Sequence, residues 1–95
     1  MKLVFSRAAL AELDEILAYL AFHSPKGAER VESRIRQVIQ VIAEQPDGSQ
    51  VVARRRSVRR APLVNFPYVI YYRATETEVT ILRIRHGARR PIWNR

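Results

Sequence analysis

An α+β fold, a helical hairpin packed on one face of a mainly antiparallel sheet, follows from three features of this 95-residue sequence. Two apolar stripes at helical spacing follow each other with only His23-Ser24-Pro25 between them. The run Pro46-Asp47-Gly48-Ser49 is turn chemistry, and after it the apolar period changes from 3.6 to 2. Three β-prone runs with short links then give an antiparallel meander. The predicted order is β-α-α-β-β-β in one domain, residues 1–95, with 91–95 as a short C-terminal tail.

Leu3-Val4-Phe5 is short, apolar and β-prone, and reads as the first strand. Ser6 can cap the next helix by accepting an orphan backbone N–H, with Phe5 and Leu10 placed for a hydrophobic staple across the cap. Leu10, Leu13, Ile16, Leu17 and Leu20 recur at helical spacing and predict a helix over 7–22. Ser24 is the next N-cap, and Pro25 suits the first helical position because no N–H is needed there. Ala28, Val31, Ile35, Val38, Ile39 and Ile42 form a second stripe that runs to about Glu44, before Gln45-Pro46. Leu13, Leu17, Val31, Ile35 and Val38 are the expected contacts between hairpin and sheet. Val51–Val58 reads as a strand weakened by its arginines, Tyr68–Tyr72 as a strong strand, Ala74–Thr77 as a turn and Val79–Arg85 as the last strand.

Charge is unevenly placed. Residues 1–50 carry six Lys/Arg and seven Asp/Glu, a net of −1; residues 51–95 carry eleven arginines and two glutamates, a net of +9. Such polarity implies an acidic or polyanionic partner for the second half. The apolar share of 47 % is that of an ordinary globular protein. With no cysteine there is neither a disulfide framework nor a thiolate metal site. Glu12, Asp14 and Glu15 interrupt the N-terminal apolar residues too early for a secretory signal, and no apolar run approaches the roughly 20 residues that span a bilayer. A soluble, cytoplasmic chain without membrane contact is expected.

Arginine offers planar bidentate donors suited to phosphate and carboxylate. Arg54 and Arg56 fall on one face of a strand, as do Arg83 and Arg85, and Arg59 and Arg60 lie between the two sets. A basic groove is one reading, a sheet edge protected by charge the other. His86 could act as a general acid or base with its pKa lowered by the positive field; the plainer reading is that it ends the strand. Tyr68, Tyr71 and Tyr72 could stack on bases, but on a central strand they suit the core better. Trp93 could dock on the sheet or on a partner. With two histidines and no cysteine, no metal site and no cofactor are expected. No phosphate loop, nucleophile elbow or dinucleotide fingerprint is present.

Three motifs in this element order resemble the ParE/RelE superfamily of bacterial type II toxins. They are the opening Phe5-Ser6-Arg7-Ala8-Ala9-Leu10-Ala11-Glu12-Leu13-Asp14-Glu15-Ile16, then Val58-Arg59-Arg60 followed by Tyr68-Val69-Ile70-Tyr71-Tyr72-Arg73, and finally Ile81-Leu82-Arg83-Ile84-Arg85-His86-Gly87-Ala88-Arg89. The last is the most specific, and together they cover about residues 3–91. The resemblance implies a small toxin held inactive by a cognate antitoxin, acidic if it answers the charge found here. ParE-like members poison DNA gyrase, whereas RelE-like members cut mRNA on the ribosome. The RNA-cutting branch has a basic residue after the middle-strand tyrosine, where this chain has Val69, and a catalytic tyrosine in its C-terminal segment, where this chain has Pro91, Ile92 and Trp93. It also carries basic residues matched by Arg59, Arg60 and Arg89.

The departures favour a ParE-like inhibitor of gyrase, a binding poison that arrests growth. Its target- or antitoxin-binding residues are expected among Arg59, Arg60, Arg83, Arg85, His86, Arg89 and Trp93. One alternative is a ribosome-dependent mRNA endonuclease with Arg60, His86 and Arg89 around the scissile phosphate. Another is a non-toxic basic nucleic-acid-binding domain. A dimer and a hetero-oligomer with the antitoxin both stay open.

Overall fold

The computed structural model describes residues 1–87, and of Arg56 only the backbone. Strand β1 (Lys2–Phe5) leads into helix α1 (Arg7–His23) and helix α2 (Pro25–Glu44). Strands β2 (Gln50–Val52), β3 (Arg55–Pro62), β4 (Tyr68–Ala74) and β5 (Glu78–His86) follow. The described strands form one sheet in the order β1-β5-β4-β3-β2. β1 runs parallel to β5, and every other neighbour is antiparallel. The helical hairpin carries the chain from β1 at one edge of the sheet to β2 at the other, and the meander β2 to β5 then returns to lie beside β1.

The helix boundaries follow from two serines. The Ser6 hydroxyl accepts from Ala9 N–H at 3.0 Å and donates to the Leu82 carbonyl at 2.7 Å, so the α1 cap is also a tether to β5. Ser24 ends one helix and starts the next. Its N–H donates to the Leu20 carbonyl at 2.6 Å, and its hydroxyl accepts from Gly27 N–H at 3.1 Å. Its extended backbone, φ −162° and ψ 102°, is the conformation that Pro25 favours in the residue before it.

The main core lies between the hairpin and one face of the sheet. α2 gives it Val31, Ile35, Ile39 and Ile42, all buried. The sheet gives it Ala61, Ile70, Tyr72, Val79, Ile81 and Ile84, and the segment just after β3 gives it Leu63. Tyr72 is fully enclosed, and its hydroxyl donates to the Pro46 carbonyl at 2.7 Å, pinning the turn after α2. Tyr71 is buried too, so the core reading holds for these two tyrosines, whereas Tyr68 is only partly buried against the main core.

Three local expectations change. The stretch Val51–Val58 is not one strand: Ala53 and Arg54 form a turn, and β2 folds back on β3. No Gly, Pro or Asn marks that turn. The contact stripe of α1 is Ala9, Leu13, Ile16 and Leu20, whereas Leu10 is 49 % exposed and Leu17 stays outside the core cluster. A Phe5–Leu10 staple does not fit that exposure. The rotation of α1 is set instead by its polar bonds to β5. Finally, a bulge breaks the alternation of β5. Tyr71 pairs with Arg83 but Tyr72 pairs with Ile81, which leaves Leu82 as the extra residue. Ile81 and Ile84 therefore both reach the main core, while Leu82 packs on the opposite face with Val52, Val58, Val69 and Tyr71.

Candidate functional site

The β3–β4–β5 register assigns each sequence-predicted arginine to a face. Arg60 stands across from Tyr71, and Tyr71 across from Arg83. Arg85 stands across from Val69. Val69 and Tyr71 belong to the face turned away from the helices, so the strand register directs Arg60, Arg83 and Arg85 to that face, and the Arg83 and Arg85 guanidiniums turn around the β5 edge to meet α1. Arg59, one residue out of phase, stands across from Tyr72 on the helix side. It closes the turn after α2, donating to the Ser49 carbonyl at 2.6 Å and to the Asp47 carbonyl at 3.3 Å. Arg54 lies in the β2–β3 turn and not on the strand that was to pair it with Arg56. Arg89 and Trp93 lie outside the described residues.

Arg83 and Arg85 are anchored. β1 follows β5 only as far as Ile81, so the edge of β5 beyond it meets α1 instead of a strand. Glu12 of α1 fills that place. Its carboxylate accepts Ile84 N–H at 2.9 Å, as a strand carbonyl would. Arg83 Nε donates to both Glu12 oxygens, at 3.1 and 3.2 Å, and Arg83 Nη2 donates to one of them at 2.9 Å. Arg85 Nε lies 3.6 Å from the same carboxylate. The side chains of Glu12, Arg83 and Arg85 are 18, 17 and 19 % exposed. The Glu12 bond holds the Arg83 pKa above its ordinary value, against the opposing effect of burial. One carboxylate against two guanidiniums leaves a local charge of about +1.

Between α1 and β5 runs a groove of about 790 Å³, lined by Glu12, Ile16, Tyr19, Tyr68, Arg83 and His86 among others. His86 stands across from Tyr68, ring centroids 5.8 Å apart at 78°. The Tyr68 phenol is pushed up by burial and, secondarily, by Tyr19. His86 thus faces the groove on the helix side, whereas Arg60 faces the other side of the sheet. The two do not converge on one substrate position. Glu12 is the residue that sequence reasoning missed. Its only local signal was an acid lying off the apolar stripe, and its partner Arg83 is 71 residues away.

Residues 3–91 match the family model described as the ParE toxin of type II toxin–antitoxin system, parDE. The chain belongs to the ParE toxin family. Relatives of this ParE-family chain include a candidate toxin of Sinorhizobium fredii, Y4kP, 38 % identical over 83 % of this chain and 80 % of that one. Toxin RelE2 of Caulobacter vibrioides is 36 % identical over 93 % of this chain and 97 % of its own length. A solved chain from the chromosomal ParDE system of P. aeruginosa superposes with a TM-score of 0.77 at 25 % identity. It covers 90 % of this chain and 95 % of that one. The ParE fold and the type II toxin family thus agree with the α+β architecture expected from the sequence.

Proposed function

We propose that this ParE-family toxin binds DNA gyrase, arrests growth, and is held inactive by a cognate acidic antitoxin. The observation that carries the choice of gyrase is Val69. The position that would bear a basic residue in an RNA-cutting relative holds a valine that is 4 % exposed and packed among Val52, Val58 and Tyr71. RNA cleavage needs a base for the 2′-hydroxyl and an acid for the leaving oxygen, close to one phosphate. Arg60 and His86 lie on opposite faces of the sheet, which does not suit that arrangement. The arginine face around Arg85 suits an acidic antitoxin segment, which can fold onto it from a disordered state. Both partners place the chain in the cytoplasm, and no described helix is long and apolar enough to cross a membrane.

The name of the Caulobacter relative keeps an mRNA endonuclease as the second reading. Brief induction in bacteria, without and then with the co-encoded acidic protein, tests the proposal. Growth should stop in the first case only, and plasmid DNA should lose negative supercoiling while mRNA stays whole. Unimpaired growth with soluble protein present contradicts the toxin reading, and codon-phased mRNA cuts with normal plasmid topology contradict the gyrase reading.

A further inference from the structure

We propose that Glu12 is a positioning residue of the toxin, one that aims Arg85 at the target by holding Arg83 as its neutralised neighbour. The inference rests on reading the arginine face as the working surface. Three observations carry it. First, Glu12 grips Arg83 through Nε and Nη2 at 2.9–3.2 Å but meets Arg85 only through Nε, at 3.6 Å. Arg83 is consumed by the pair; Arg85 is steered by it. Second, the same carboxylate accepts Ile84 N–H, the backbone link between the two arginines. The carboxylate is therefore fixed to the β5 backbone at the residue between the two side chains it holds. Third, the Ser6 hydroxyl bonds both Ala9 N–H and the Leu82 carbonyl, which fixes the start of α1 on β5 and so fixes where Glu12 arrives. A planar guanidinium recognises carboxylate or phosphate by direction as well as charge. The pair supplies that direction.

Positioning and plain charge make opposite predictions. If only charge mattered, removing Glu12 would raise the local charge and strengthen binding to an acidic or polyanionic target. If direction matters, removal weakens it. Glu12→Gln keeps an acceptor for Ile84 N–H and nearly the same volume, but releases the arginines. The parent and Glu12→Gln are compared by growth arrest at matched protein levels, by thermal melting, and by the arginine Nε–H signals in NMR. The expected result is a folded variant whose Arg83 and Arg85 Nε–H protons exchange faster with water and whose toxicity falls at least about ten-fold, the scale of one charge-assisted hydrogen bond. A folded Glu12→Gln chain as toxic as the parent, or more so, overturns the proposal.

Arg85→Lys gives an independent decision should Glu12→Gln fail to fold. It keeps the positive charge and loses the planar fork. Loss of toxicity with unchanged melting supports positioning; full toxicity overturns it. A parent chain that does not arrest growth removes the functional reading itself, and this inference with it. Variant toxicity measured against a toxic parent separates the two failures.

Discussion

Tyr68 begins β4 on the helix side of the sheet, with His86 against its ring and Tyr19 of α1 near its hydroxyl end. Partial burial disfavours the phenolate, and a second phenolate at Tyr19 would repel it. The folded chain therefore holds the Tyr68 proton more tightly than the unfolded chain does. Its contribution to stability is complete below pH 10.0 and is lost as the pH rises through the higher folded value. The check is an absorbance titration near the phenolate maximum, taken as the difference between the parent and Tyr68→Phe. The difference curve should have its midpoint above 10.0. A midpoint at or below that value would mean that the groove leaves Tyr68 fully solvated. Arg83 shows the opposite balance, since its hydrogen bond to Glu12 outweighs its burial, so it stays charged across the whole working range.

At the scale of elements, α1 is where sequence periodicity and structure part company. Leu10, Leu13, Ile16, Leu17 and Leu20 fit one helical face, yet the helix is turned so that Ala9, Leu13, Ile16 and Leu20 meet the core. Ser6 and Glu12 set that rotation by bonding β5 across more than 70 residues of chain. A stripe read locally cannot contain such a constraint. The prediction follows directly. Ile35→Ala, at a site 3 % exposed, should cost about 2–5 kcal/mol, and Leu17→Ala clearly less. Chemical denaturation of both variants measures it, and equal costs would mean that α1 sits as its periodicity alone suggests. What was legible was punctuation. Ser6, Ser24-Pro25 and Pro46-Asp47-Gly48-Ser49 give the hairpin its limits to within a residue or two. The β2–β3 turn was not legible, because Ala53 and Arg54 carry no turn signal and interrupt a short β-prone run. The bulge at Leu82 was not legible either, because it exists only in the pairing of β5 with β4.

Across the whole molecule, the sequence separates a nearly neutral helical half from a strongly basic sheet half. Folding modifies that contrast. Arg59 closes a turn with Asp47, and Arg83 is paired with Glu12 of α1. The basic surface is thus smaller and better aimed than the count of arginines implies, centred on Arg85 at the β5 edge, with Arg60 directed by the strand register to the face turned away from the helices. That face was legible in the alternation of Arg83 and Arg85; the acid that organises it was not. The central claim is that this surface serves a gyrase poison. The most direct measurement is a supercoiling reaction with purified gyrase, relaxed plasmid and the purified chain, run beside Arg85→Ala. The account predicts that the parent blocks supercoiling and accumulates cleaved DNA, while the folded variant does neither. Normal supercoiling in the presence of a parent chain that arrests growth would contradict it.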